Sequence, residues 1–226
     1  MTMQTWIVIP AYNEENKIVE VVEELKKAGY SQIVIVDDGS EDHTYQKALS
    51  TGVTVLKHII NRGQGAALKT GLDYALEKGA QIIVTFDADG QHSPQDLASL
   101  IKPLQEGKAD IVLGSRFLNK KSNTPFIRKI FLKGGALIFR IFYGVKVSDS
   151  HNGLRALSRK AAQKIKITQD GMEHASQIIE EIAKNKLKYL EIPVIIRYTD
   201  YSLKHGQKTS NAFKILLKMI IHKLTK

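Results

Sequence analysis

Apolar and polar positions change rhythm along this chain. Over the first half, short runs rich in Ile and Val recur at Trp6–Pro10, Gln32–Val36, Val53–Lys57, Gln81–Phe86 and Asp110–Gly114. Most are apolar at successive rather than alternate positions, which predicts strands covered on both faces. The stretches between them carry helical spacing, over Glu14–Ala28, His43–Ser50, Gly65–Glu77 and Pro94–Glu106, and each ends at or close to a Gly, a residue that commonly terminates a helix. Strands alternating with helices predict an α/β fold, a mostly parallel sheet with helices on both faces. A single domain over residues 1–226 is expected, since no internal repeat and no Pro- or Ser-rich linker divides the chain.

The second half loses this alternation. Between Pro125 and Tyr143, residues Ile127, Ile130, Phe131, Leu137, Ile138, Ile141 and Phe142 fall on one helical face, with Lys129, Lys133 and Arg140 beside it. Phe213, Leu216, Leu217, Ile220 and Leu224 form a second stripe, flanked by Lys214, Lys218 and Lys223. Core-facing helices with solvated lysines have this pattern, and so do helices lying in a membrane interface. Charge tilts the choice. Residues 1–115 hold 10 Lys+Arg against 16 Asp+Glu, a balance of −6, whereas residues 116–226 hold 23 against 7, a balance of +16. A half so basic suits a membrane face, a membrane-protein partner or a phosphorylated substrate. Nucleic acid is not expected as a partner, because no helix-turn-helix, RNA-binding or zinc pattern is legible.

The chain has no Cys, which excludes disulfides and thiolate metal sites. The N-terminus lacks a basic signal-peptide start, and no apolar run reaches the roughly 18 residues of a spanning helix. A cytoplasmic protein, peripheral on the cytoplasmic face of the membrane, is expected.

Candidate chemistry gathers at the ends of the predicted strands, where open α/β sheets bind ligands. Pro10-Ala11-Tyr12-Asn13-Glu14 follows the first, Asp37-Asp38-Gly39-Ser40 the second, and Asp87-Ala88-Asp89 the fourth. Any one of these reads equally well as a turn or a helix cap. Three together on one rim point to a ligand. Two carboxylates one residue apart suit Mg²⁺, which binds through one or two carboxylates plus substrate phosphates and keeps several waters. That spacing predicts a nucleoside-diphosphate site.

Six ordered motifs resemble the family 2 glycosyltransferases of the GT-A fold, and within them the polyprenyl-phosphate sugar transferases typified by dolichol-phosphate mannose synthase. They are Ile9-Pro10-Ala11-Tyr12-Asn13-Glu14-Glu15, Val36-Asp37-Asp38-Gly39-Ser40, Asn61-Arg62-Gly63-Gln64-Gly65-Ala66-Ala67, Asp87-Ala88-Asp89-Gly90-Gln91-His92, Gly114-Ser115-Arg116 and Asp149-Ser150-His151-Asn152-Gly153-Leu154-Arg155. The resemblance implies that Pro10, Tyr12 and Glu14 form the first nucleotide loop, that Asp37 reads the base edge with Asp38 beside it, and that Arg62 and Gly63 lie against the nucleotide. Asp87, Ala88 and Asp89 would hold the sugar nucleotide, with Asp87, Asp89 and Gln91 around Mg²⁺ or Mn²⁺. Arg116 and Arg128 match positions that meet the acceptor phosphate. Asp149 either positions Arg155 or orients the acceptor. Residues 1–115 then form the nucleotide-sugar and metal half, and residues 116–226 the acceptor and membrane-interface half.

The implied activity moves a sugar from a nucleotide sugar, a UDP-hexose or UDP-N-acetylhexosamine before a GDP-sugar, to a polyprenyl phosphate with inversion. Many members carry fused transmembrane helices; none is expected here, so the resemblance implies a small separate membrane-protein subunit as partner. The basic loop these enzymes close over the donor departs from the family pattern at 198–210, where Lys204 and Lys208 stand as substitutes. Glu173, at the start of a predicted helix, falls where relatives that glycosylate hydroxyl groups place a catalytic base. A glycan or lipid hydroxyl acceptor therefore stays open, as does a non-catalytic sugar-nucleotide-binding subunit of a membrane complex.

Overall fold

The structure, a computed structural model, describes residues 3–118, 140 and 143–197. Seven strands build one sheet: β1 (Thr5–Ala11), β2 (Ile33–Asp37), β3 (Thr54–Lys57), β4 (Ile82–Thr85), β5 (Ile111–Ser115), β6 (Arg155–Ser158) and β7 (Tyr189–Pro193). Their order is β3-β2-β1-β4-β6-β5-β7. The pairs β1·β2, β1·β4, β2·β3 and β5·β7 are parallel, and only β6 runs against its neighbours β4 and β5.

Helices α1 (Ile18–Lys27), α2 (Thr44–Ser50), α3 (Gln64–Glu77) and α4 (Leu97–Gln105) connect the first five strands, with one 3₁₀ turn at Pro94–Asp96. Helices α5 (Arg159–Lys164) and α6 (His174–Lys184) lie between β6 and β7. All five strands expected in the first half form, within a residue or so at each end. Helix α1 starts four residues later than its pattern suggested, because Glu14 is drawn into the loop network described below.

Both faces of the sheet are covered, as continuous apolar strands require. On one side Ile7, Ile9, Ile33, Ile35 and Val84 pack with Val22 and Leu25 of α1 and Leu97, Leu100 and Leu104 of α4. On the other, Val8, Val34 and Ile83 pack with Leu68 and Leu72 of α3 and Ile178, Ile179 and Ile182 of α6. Each such side chain contributes about 1.5–3 kcal/mol by leaving water.

The second half departs from expectation. It contains two further strands that residue pattern did not reveal. β6 spans four residues and opens on a buried Arg, while β7 lies at the sheet edge with side chains partly exposed. The helices expected over 125–143 and 213–224 lie outside the described residues, apart from residues 140 and 143, as do Arg128, Lys204 and Lys208.

Strand order reverses between β1 and β4: the chain moves outward through β2 and β3, then returns to the other side of β1. Such a switch point opens a crevice beyond the carboxyl ends of the strands.

Candidate active site

The first two loops at that crevice brace one another. Asn13, in the left-handed region at φ 55 that Asn tolerates better than most residues, donates its backbone N–H to Ser40 Oγ at 2.9 Å and accepts Glu41 N–H at 2.9 Å. Glu14 N–H donates to Thr44 Oγ1 at 2.7 Å and Glu15 N–H to Asp42 Oδ2 at 3.2 Å. Asn13, Glu15, Ser40 and Asp42 are thus spent on the scaffold. Pro10, Tyr12 and Glu14 face the crevice.

The paired aspartates after β2 separate in role. Asp38 clamps the loop that leads from β3 into α3: its Oδ1 lies 2.6 Å from His58 Nδ1 and accepts Arg62 N–H at 3.1 Å, and its Oδ2 accepts Gly63 N–H at 2.6 Å. His58 Nε2 lies 3.0 Å from Thr70 Oγ1 on α3. The clamp presents Asn61 and Gly63 to the cavity. Arg62 turns outward to Asp170 at 3.3 Å and does not line it. Asp37 is fully buried, also outside the lining, and neither of its carboxylate oxygens has a hydrogen-bond partner.

At the end of β4, Asp87 accepts from Gln64 Nε2 at 3.2 Å and lies 2.8 Å from His92 Nε2. Burial raises its pKa, but His92 and, beyond it, Arg155 outweigh that effect and hold the carboxyl below the usual range. Asp89 is pushed the other way, by burial and then by the charge of Asp87. Gly153 lies flat against Asp87: a Cβ there would come within 2.6 Å of Asp87 Oδ1, so any side chain would push the carboxylate out of place. Among the described residues no group of three or more acidic, His or Cys side chains could cage an ion. Two crowded carboxylates with Gln91 beside them fit a hard divalent cation completed by water and substrate phosphate.

Beyond β5, Arg116 is buried and tied to Asp149, donating Nε–H to Oδ2 at 2.6 Å and its backbone N–H at 3.1 Å, with Nη2 donating to the His151 carbonyl at 3.4 Å. Asp149 is itself held from β7, where Glu191 accepts Ser148 N–H at 2.8 Å and Asp149 N–H at 3.2 Å. Burial pushes the Glu191 carboxyl up. Arg155, the first residue of β6, is 2% exposed and reaches the cavity. His174 on α6 is 3% exposed. Its Nδ1 sits 2.9 Å from the Gly171 carbonyl, and burial, with Arg155 nearby, pulls its pKa down to about 4. Glu173 does not line the cavity; its carboxylate folds back over Gly171.

These loops enclose about 690 Å³. The carboxylates on its wall, Glu14, Asp38, Asp87 and Asp89, all follow β1, β2 or β4. After β5 the lining turns basic through Arg116 and Arg155, with the imidazoles of His151 and His174 beside them and no carboxylate among the described residues. Of the residues that strand-end motifs and the family resemblance singled out, the structure brings Pro10, Tyr12, Glu14, Asp38, Gly63, Asp87, Ala88, Asp89, Gln91 and Arg116 to one cavity. The motifs and the resemblance gave no role to His92, Arg155, His174 or Glu191. The first two lie inside quoted motifs and were within reach, whereas His174 and Glu191 carry no local signal.

A family model described as glycosyl transferase family 2 matches residues 6–166. A protein of Methanocaldococcus jannaschii described as uncharacterized is 43% identical over 98% of this chain and 93% of its own length. A UDP-N-acetylglucosamine–dolichyl-phosphate N-acetylglucosaminyltransferase of Methanococcus voltae is 38% identical over 98% of this chain and 96% of its own. Among solved structures, glucosyl-3-phosphoglycerate synthase of Mycobacterium tuberculosis in complex with Mn²⁺ and UDP-glucose superposes with a TM-score of 0.76 over 99% of this chain and 79% of that one, at 18% identity, a likeness of fold. A sheet switch point furnished with these motifs, and a family match that spans most of it, make one conclusion: the chain belongs to family 2 of the glycosyltransferases and is a glycosyltransferase of the GT-A fold.

Proposed function

We propose that this enzyme transfers a sugar from a nucleotide sugar to a polyprenyl phosphate, with inversion, at the cytoplasmic face of the membrane. The observation that carries the proposal is the division of the cavity wall, acidic after β1, β2 and β4 and basic after β5. A donor diphosphate with its metal suits the first part, and a phosphate acceptor the second.

On this reading Asp87, Asp89 and Gln91 would hold Mg²⁺ or Mn²⁺, which supplies positive charge to the leaving diphosphate when bound. Pro10, Tyr12, Glu14, Asp38 and Gly63 cradle the nucleoside, and the unpartnered oxygens of Asp37, buried behind that lining, suit a base N–H where the nucleoside reaches past it. Arg116 orients the acceptor together with Arg128, and Lys204 and Lys208 neutralise the donor diphosphate; Arg128, Lys204 and Lys208 lie outside the described residues. A phosphomonoester, with its second pKa near 6, is mostly a dianion at neutral pH. Its oxygen bonds to the sugar C1 as the bond from C1 to the diphosphate oxygen breaks, and the electron pair leaves with the nucleoside diphosphate. No proton has to move, so no base is needed.

The name of the Methanococcus voltae relative supports a UDP-N-acetylhexosamine donor and a lipid phosphate acceptor. Ile59 and Ile60, 98% and 68% exposed immediately before cavity-lining Asn61, support a mouth that opens toward a bilayer. No helix among the described residues is long and apolar enough to cross a membrane. A small separate membrane-protein subunit belongs to this reading as a partner. The position of Glu173 outside the cavity wall favours a phosphate over a hydroxyl acceptor.

The test offers labelled UDP- and GDP-sugars with polyprenyl phosphate in vesicles and Mg²⁺ or Mn²⁺. The expected product is an organic-extractable, acid-labile lipid. Asp89→Ala should lower its rate by about a hundredfold or more, the scale seen when a group stabilising transition-state charge is removed, and Glu173→Gln should leave it unchanged. An acid-stable product that disappears with Glu173→Gln would establish the hydroxyl acceptor instead.

A further inference from the structure

We propose that the Arg155 guanidinium is a phosphate-binding group of the cavity, kept without a protein partner so that a substrate oxyanion can take its donors. Arg155 opens β6, opposite Thr85 of β4 and Leu113 of β5, between the donor loops and the Arg116–Asp149 pair. Its guanidinium carries five N–H donors. Among the described residues none of them makes a hydrogen bond, and no carboxylate comes within ion-pair distance, although Arg155 is 2% exposed. Arg116 shows the contrast. Nearly as buried, it is closed off by Asp149 and the His151 carbonyl.

Arg155 is buried along its stem while its guanidinium reaches the cavity; a charge with so little water and no protein partner is poorly compensated, so such a group calls for a ligand. Two carboxylates act on Arg155 from a distance, Asp87 on the donor side and Asp149 on the other, and although burial lowers its pKa to about 10 it stays charged at neutral pH. His174, held neutral beside it, brings no competing cation. A planar fork of donors matches a phosphate through two parallel hydrogen bonds. Resting on the reading above, the acceptor phosphomonoester is one source of that oxyanion; the donor diphosphate is the other.

Arg155→Lys and Arg155→Gln, with thermal unfolding to check the fold, separate the two. Titration of UDP and GDP in the presence of Mn²⁺ reads the donor arm, and the steady-state KM for polyprenyl phosphate in vesicles reads the acceptor arm. An acceptor KM raised about tenfold to a hundredfold, the range for losing hydrogen bonds to a charged group, with diphosphate affinity unchanged, assigns Arg155 to the acceptor. The same loss in diphosphate affinity assigns it to the donor. In either case Arg155→Lys should recover part of what Arg155→Gln loses. If both constants stay at wild-type values in both variants, Arg155 only balances charge within the wall and the proposal is overturned, whatever the melting temperature does. A wild-type protein that never glycosylates polyprenyl phosphate sinks the acceptor reading by itself; the diphosphate titration then decides Arg155 alone, and an unchanged affinity overturns it.

Discussion

The His174 imidazole is enclosed by α6 and the cavity wall, and its Nδ1–H donates to the Gly171 carbonyl. Burial and Arg155 lower its pKa from 6.5 to about 4, so the folded protein keeps it neutral where an unfolded chain would take up a proton. The stability this provides is complete above pH 6.5 and is lost as pH falls toward 4. Its slope approaches about 1.4 kcal/mol per pH unit for one proton. Urea midpoints at pH 7, 6 and 5 should therefore fall more steeply for the wild type than for His174→Gln. Parallel slopes would show that His174 already shares its proton with solvent. Glycine acts at the same scale at position 153, where any side chain would displace the Asp87 carboxylate.

Between residues and the whole lie the loop and strand ends that carry the site. The β3–α3 loop has little apolar anchoring: Ile59 and Ile60 point to solvent, and its shape rests on Asp38, which receives the amides of Arg62 and Gly63 and the His58 ring. Asp38→Ala leaves two amides without an acceptor, at about 1–3 kcal/mol for each that stays buried. Hydrogen exchange at Arg62 and Gly63 should then accelerate, and nucleotide affinity should fall because the loop is no longer set in advance. Unchanged protection would place the restraint elsewhere. Edge strand β7 does the corresponding work on the opposite wall, since Glu191 fixes the 148–149 turn and through it the Asp149–Arg116 pair.

At the scale of the molecule, the sheet order sets the carboxylates that follow β1, β2 and β4 against the arginines that follow β5 across one cavity, and the charge of the chain follows the same division. Net charge is +10, concentrated in residues 116–226. Each Lys or Arg brought to an anionic membrane surface contributes about 1 kcal/mol, screened by salt. The protein should co-sediment with phosphatidylglycerol vesicles at low salt, release at high salt, and bind more weakly when Ile59→Ser and Ile60→Ser are combined. Equal binding to neutral and anionic vesicles would remove charge as the attraction.

The continuous apolar runs and Gly-terminated helices of the first half determined five strands, four helices and three polar loops at one rim, because those features are local in origin. The spacing Asp87-Ala88-Asp89 likewise placed two crowded carboxylates at the end of β4. Strands β6 and β7 were hidden, since a four-residue segment headed by Arg and an edge segment with partly exposed side chains have no distinctive periodicity; their state comes from neighbours far along the chain. Only the tertiary structure decided that Asp38 serves the β3–α3 loop while Asp37 stays unpartnered, that Glu173 turns from the cavity, and that Arg155 and His174 enter it. Several of those assignments depend on what side chains meet far along the chain, Asp38 with Gly63 and Arg155 beside Thr85, and burial, charge partnering and free donors exist only once the strands have been brought together.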